Sequence, residues 1–198
     1  MLGKQSKVLT DKQVKTMMIY LESTRMSIRN QVIFLLSVKG GLRSKEISGV
    51  KWNMIVNSDH SIGNTIDLID SVSKGNSGRV IPLNKDLRDK LIELYEIERK
   101  RFDFDIDTSS VIRTERSGST TPQSIVNMFS IWYKDLGFVG CSSHSGRRTF
   151  ITNLSKKLSE VGGSLRDIQV MVGHKNLQTT QRYIEVDTDC QRKLVGLI

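Results

Sequence analysis

Residues 164–183 read Ser-Leu-Arg-Asp-Ile-Gln-Val-Met-Val-Gly-His-Lys-Asn-Leu-Gln-Thr-Thr-Gln-Arg-Tyr. The pattern predicts two short helices joined by a glycine turn. Ser164 and Asp167 stand at capping-box spacing, and Ile168, Met171 and Val172 form an apolar stripe at helical period. Gly173 falls where a helix C-terminus wants a residue that tolerates positive φ. His174 then sits just past a helix end, its ring free to point away from the core. A second helical run, Gln178 to Val186, carries Tyr183 and brings it near His174, with Lys175 and Arg182 adding positive charge. Singly, such a histidine is an ordinary cap and such a tyrosine an ordinary half-buried core residue. The rest of the chain changes their meaning.

The chain has 198 residues, enough for one large domain or two small ones with a real core. Its 30 basic residues outnumber 21 acidic ones, for a formal net charge of +9, which favours a polyanionic partner. The excess is clustered: residues 144–182 hold seven Lys and Arg against Glu160 and Asp167. The N-terminus is polar with no signal peptide following it, and the longest clean apolar run, Val32 to Leu36, is too short to cross a bilayer. Two cysteines, Cys141 and Cys190, suit a reduced compartment without a disulfide framework. A soluble, cytoplasmic protein is expected.

From the N-terminus, Thr10 and Gln13 open a helix through about Ser23, and a second runs from about Ser27 to Lys39, ending at Gly40-Gly41. Gly41 to Ile47 reads as a turn entering a short helix capped by Ser44, with Arg43 at its lip. An arginine beside helix N-terminal amides is well placed for an anion. Glu46 is either a brace for Arg43 or a routine first-turn acid. Trp52–Val56, Thr65–Val72 and Arg79–Leu83 read as strands. The last two flank a turn-rich loop, Lys74-Gly-Asn-Ser-Gly78, that puts Lys74 at a hairpin tip. Asn84 caps a helix to about Arg101 with Leu87, Leu91, Leu94 and Ile97 on one face. The acidic run Phe102–Asp107 is expected to turn away from a polyanion. Thr121-Pro122 begins another helix, and Cys141-Ser-Ser-His144 leads through Gly146-Arg147-Arg148 into a helix ending near Leu158. The fold class expected is mixed, mainly α-helical with a small antiparallel β-hairpin.

Arg43, Lys74, His144, Arg147, His174 and Tyr183 together suit attack of a tyrosine oxygen on a phosphodiester. Ionising a tyrosine of pKa ~10 at pH 7 costs about 4 kcal/mol. Fixed positive groups and imidazoles around the phosphate offset that cost and stabilise a pentavalent transition state. Two planar, permanently charged guanidinium groups suit two non-bridging oxygens. A lysine on a movable hairpin can give a proton to the leaving oxygen.

These residues resemble the catalytic domain of the tyrosine recombinases, the phage-integrase family. Gly41-Leu42-Arg43-Ser-Lys-Glu46-Ile47 is similar to the family's first arginine box, His144-Ser-Gly-Arg147 to its His-x-x-Arg box, and Gly173-His174 with Tyr183 to its Gly-His…Tyr box. Lys74 ahead of Arg-Val-Ile-Pro-Leu is similar to the hairpin lysine. The resemblance implies a site-specific recombinase with Tyr183 as nucleophile forming a 3′-phosphotyrosyl link. Arg43 and Arg147 would clamp the phosphate, His144 and His174 would handle hydrogen bonds and protons, and Lys74 would be the general acid. Glu46 supports the site, and Arg148, Lys175 and Arg182 are DNA-binding candidates. A phosphotyrosyl bond preserves the bond energy, so no cofactor, metal or ATP is implied. The implied partners are double-stranded recombination sites, a homo-oligomer, specifically a tetramer, on paired sites, and accessory DNA-bending proteins.

The family usually has an apolar residue and then His around its second arginine. Here these are Gly146 and Arg148, and Arg148 could compete with Arg147 for the phosphate. One catalytic domain over residues 1–198 is expected, without the family's usual N-terminal DNA-clamping domain. That fits a naturally short recombinase of the fimbrial-switch type or a catalytic fragment of a longer integrase. The tail holds the apolar set Leu194, Val195, Leu197 and Ile198, and the resemblance implies a segment that packs onto a neighbouring protomer, as it often does in that family. The alternatives are a type IB topoisomerase, a non-catalytic DNA-binding regulator, and a metal half-site at Cys141-x-x-His144.

Overall fold

The second helix, α2 (Ser27–Val38), is buried at every residue from Asn30 to Val38. A helix shielded on all sides is one that others surround, and here α1 (Asp11–Glu22), α3 (Ser44–Gly49), α4 (Lys85–Glu98) and α6 (Ser145–Lys157) all pack on it. Helix α5 (Pro122–Asp135) closes over α3, and α7 (Leu165–Val172) and α8 (Leu177–Gln181) follow α6. This computed structural model describes residues 5–72, 78–115, 118–183 and 195–196. Lys74, Cys190 and most of the apolar tail lie outside those residues.

Two strands, β1 (Thr65–Leu68) and β2 (Arg79–Pro82), pair antiparallel with Thr65 opposite Pro82 and Leu68 opposite Arg79. Ile66, Leu68, Arg79 and Ile81 face inward while Val80 is exposed, the period-two alternation of a half-buried hairpin. The mainly helical class with a small antiparallel sheet is therefore as expected. The strand expected over Trp52–Val56 is instead a 3₁₀ turn, Trp52–Met54. Met54 and Ile55 are adjacent and both buried, which strand alternation forbids and a tight turn allows.

Local signals placed most helix starts. Thr10 and Ser164 each form a complete capping box, and Thr121 caps α5 with Pro122 in its first turn. Gly173 ends α7 at φ +63°. On α4 the inner face runs Leu87, Leu91, Leu94, Tyr95 and Glu98, whereas Ile97 is 49% exposed because it falls off that stripe.

A large core under α2, α4 and α5 is accompanied by a smaller one between α6 and α7, built on Ile151, Ile168 and Val172. Helix α6 joins the two. Its outer end packs on α7, and its first turn lies so close to α2 that a Cβ on Gly146 would sit 2.3 Å from Ser37 Oγ. That contact holds the next residue, Arg147, between the cores. Among the described residues no helix is long and apolar enough to cross a membrane.

Candidate active site

The first arginine box is built on a carboxylate. Glu46 accepts the Arg43 backbone N–H at 2.8 Å, so this acid, one turn into α3, completes the N-terminus that Ser44 was expected to cap. The N-cap is Arg43 itself, in extended conformation, with Ser44 as the first helical residue. The same carboxylate accepts Arg43 Nη1 at 3.0 Å and is 0% exposed.

Glu46 is also gripped from the hairpin. Arg79 donates from Nη1 to Oε1 at 2.9 Å and from Nη2 to Oε2 at 3.1 Å, while its Nε donates to the Met171 carbonyl at 2.8 Å. This fork ties β2, α3 and the end of α7 together. Burial pushes the Glu46 carboxyl up, but the bonds to Arg79, the Arg43 N–H and the charge on Arg147 outweigh it and hold it below the ordinary carboxylate range.

Arg147 is 4% exposed and lies 3.9 Å from Glu46 Oε2. Its Nη1 donates to the Gly41 carbonyl at 2.6 Å and its Nη2 to the Val172 carbonyl at 2.7 Å. The two carbonyls belong to Gly41, which opens the first arginine box, and to Val172, just before Gly173, so one guanidinium braces both other boxes. Burial first, then the charges of Arg43 and Arg79, lowers its pKa to about 9, leaving it charged at neutral pH. A guanidinium has five N–H donors, so some remain for an incoming anion.

His174 departs from expectation: its ring is turned in and is 8% exposed. Nδ1 lies 3.0 Å from the hydroxyl of fully buried Thr180, and the backbone carbonyl accepts Gln169 Nε2 at 2.9 Å. The arrangement follows from the Gly173 turn, which folds α8 back against α7. Burial, reinforced by Arg147, Arg43 and Arg79, lowers the imidazole to about 4, so the ring is neutral at pH 7. The ring stacks on Tyr183, with centroids 5.7 Å apart and planes at 21°. Tyr183 follows α8, which ends at Gln181, short of the longer run expected; its N–H bonds the Thr180 carbonyl at 3.0 Å.

Arg43, His144, Arg147, His174 and Tyr183 thus line one open cleft of about 440 Å³, together with Arg148 and Arg182. His144 is exposed at the N-terminus of α6. Arg148 does not displace Arg147: its Nη1 donates to Gln5 Oε1 at the rim. Lys175 lines an adjoining depression with Arg166 and Gly173. Among the described residues no group of three or more His, Cys, Asp or Glu comes together as a metal site. Sequence reasoning missed Arg79, whose only signal was its position in phase with inward-facing Ile81. It also missed Thr180, which nothing in the sequence distinguishes from Thr179.

A model of the phage integrase family matches residues 7–189. The tyrosine recombinase XerA of Pyrococcus horikoshii is 31% identical over 192 residues, which cover 96% of this chain and 60% of that protein. The tyrosine recombinase XerC of Actinobacillus succinogenes is 24% identical over 163 residues, covering 82% of this chain and 50% of the relative. The chain therefore spans about half to three-fifths of the length of these curated relatives. Among solved structures, a crystal structure of XerA recombinase superposes with a TM-score of 0.73 at 20% identity, over 100% of this chain and 65% of the other. The XerH site-specific recombinase bound to a palindromic difH substrate, a post-cleavage complex, gives a TM-score of 0.73 at 18% identity, over 99% and 54%.

Proposed function

The chain belongs to the phage integrase family, and from that premise we propose that residues 1–198 are a tyrosine recombinase catalytic domain. It cleaves and rejoins double-stranded DNA at a specific site through a covalent 3′-phosphotyrosyl intermediate. The observation that carries this reading is the convergence of Arg43, His144, Arg147, His174 and Tyr183 on one cleft over a buried carboxylate.

The Tyr183 oxygen gives up its proton and attacks phosphorus. The P–Oη bond forms, the P–O5′ bond breaks, and the departing 5′ oxygen takes a proton from Lys74. Arg43 and Arg147 hold the non-bridging oxygens. Arg43, Arg79 and Arg147 carry three positive charges against the one of Glu46, and His174 is neutral. The resulting excess suits the doubly negative transition state better than the singly negative phosphodiester. That difference, rather than tight ground-state binding, accelerates the step. His144, exposed at the rim, handles the tyrosine proton. Because the phosphotyrosyl bond keeps the energy of the bond it replaced, a 5′-hydroxyl reverses the reaction with no cofactor.

Arg148, Arg182 and Lys175 surround the cleft with positive charge and contact flanking phosphates. Exchange between two sites requires several copies of the chain, a tetramer on paired sites. The deciding experiment uses a nicked suicide substrate carrying the site. The wild-type chain should become attached to a DNA 3′ end, and Tyr183→Phe should form no adduct while retaining DNA affinity. An adduct with Tyr183→Phe would remove Tyr183 from the role.

A further inference from the structure

We propose that Thr180 is a positioning residue that fixes His174 as a hydrogen-bond donor on the cleft side. The inference deepens the recombinase reading, and rests on it for its consequence in catalysis.

The argument starts from a buried proton. The Thr180 hydroxyl is 0% exposed, and a buried hydroxyl needs an acceptor for its hydrogen. Among the described residues its hydrogen-bond partner is His174 Nδ1, at 3.0 Å. Nor, among the described residues, does Thr180 make a back-bond to the preceding helical turn, the usual outlet for a threonine hydroxyl within a helix. If Nδ1 carried the imidazole proton, it would donate to Thr180 Oγ, and the hydroxyl hydrogen would be left with nothing to bond. If the hydroxyl donates instead, Nδ1 is the acceptor and the ring proton of a neutral imidazole must sit on Nε2.

That second nitrogen faces the site. Nε2 has no protein partner among the described residues, yet it is not among the sealed, unpartnered atoms of the interior, and His174 lines the cleft beside Arg43, Arg147 and Tyr183. The ring cannot easily turn over to exchange its nitrogens. Tyr183 stacks on its face, and Gln169 and the Gly173 turn pin its backbone. An Nε2–H aimed into the cleft donates to a phosphate oxygen and cannot accept the tyrosine proton. Thr180 therefore divides the labour between the two histidines, with His174 as donor and exposed His144 left to handle the proton.

The chain has three histidines, so nitrogen-15 labelling of histidine gives a sparse spectrum, and His174→Gln identifies the His174 signals. In the DNA-free wild-type chain at pH 7, Nε2 of His174 should carry the proton and Nδ1 should show an unprotonated, hydrogen-bonded shift. Thr180→Val, nearly isosteric, should move the Nδ1 signal to that of a free acceptor. It should slow single-turnover cleavage about ten- to a hundredfold, by analogy with the loss when the hydrogen-bond partner that orients a metal-bound histidine is removed. DNA affinity should stay within about twofold, since phosphate contacts are spread over the surface. Thr180→Ser restores the hydroxyl and should restore both signal and rate.

A wild-type His174 with its proton on Nδ1 overturns the proposal, as does Thr180→Val cleaving at the wild-type rate or Thr180→Ser failing to recover. The spectrum needs no DNA and no variant of Thr180. A chain that never cleaved DNA would thus refute the recombinase reading while the spectrum still decided the tautomer.

Discussion

Replacing Glu46 by Gln tests whether one carboxylate holds the site together. Glutamine keeps the shape and one acceptor oxygen, so a bond to Arg79 survives. In the place of Oε2 its amide nitrogen faces both Arg79 Nη2 and the Arg43 N–H, which now sit 3.1 and 2.8 Å from that oxygen, and in the place of Oε1 it faces Arg79 Nη1 and Arg43 Nη1. Arg79 and Arg147 are buried and lose their nearby counter-charge. Removing one partner of a buried ion pair costs about 3–5 kcal/mol, and the retained bond places Glu46→Gln near the lower end. A shift of that size lowers the melting temperature by roughly 6–12 °C in a domain this long. Most domains have enough stability to remain folded after such a loss.

Urea unfolding at a series of pH values is the assay. The folded Glu46 carboxyl is held below its usual range, so its contribution is complete above the unfolded value of about 4.3 and fades as pH falls through the folded value. The gap between wild type and E46Q should therefore be widest near neutrality and close in acid. Cleavage of a suicide substrate should fall about a hundredfold, since the Arg43 side chain and Arg147 both lose a fixed support. Equal stability at pH 7, or a gap that widens on acidification, would refute the reasoning.

Arg147→Ala should reduce cleavage by two to three orders of magnitude, about the loss for a preorganised transition-state donor, whereas Arg148→Ala should chiefly weaken DNA binding; a salt titration with single-turnover rates separates the two. The ring of His174 is held to about 4, so stability should decline as pH falls from about 6.5, where the unfolded histidine begins to take a proton, towards 4. Proton exchange into the wild-type ring, followed by NMR titration, checks it, and a midpoint near 6.5 would contradict the buried neutral state. Lys74→Ala should be crippled on ordinary DNA and largely rescued on 5′-bridging phosphorothiolate DNA, because a thiolate of pKa about 8.5 leaves almost without a proton. Arg43→Ala should show no such rescue, and equal behaviour of the two variants on both substrates would take the acid role from Lys74.

What could be read from the sequence was what depends on near neighbours. The capping box of Ser164 and Asp167 and the positive-φ glycine at 173 are written within a few residues, so they predicted the α7 turn that places His174 and Tyr183. The grouping of the arginine and histidine boxes was read through resemblance, and the fold brings their residues to one cleft. The roles of Arg79 and Thr180 depend on partners that no local pattern announces. Arg79 reaches Glu46 across 33 positions, and its inward aim was visible only as strand alternation. Burial of His174 was missed for a related reason. A helix end looks exposed in sequence, but α8 returns over it and closes the ring against Thr180 and Tyr183.

The close approach of Gly146 to Ser37 makes these two positions epistatic. Restoring at 146 alone the apolar residue usual in the family would look like a repair towards consensus. Its Cβ would land 2.3 Å from Ser37 Oγ and 2.9 Å from Ser37 Cβ, so α6 would be levered away from α2. The damage would appear one residue further on, as Arg147 lost its reach to the Gly41 and Val172 carbonyls. Even with the side chain at 37 removed, that Cβ would lie 3.2 Å from the Ser37 backbone carbonyl carbon, so a side chain at 146 also needs the two helix backbones to ease apart by a few tenths of an ångström. An evolutionary path or a directed-evolution library that reduces position 37 first, or changes both at once, therefore meets the smaller barrier.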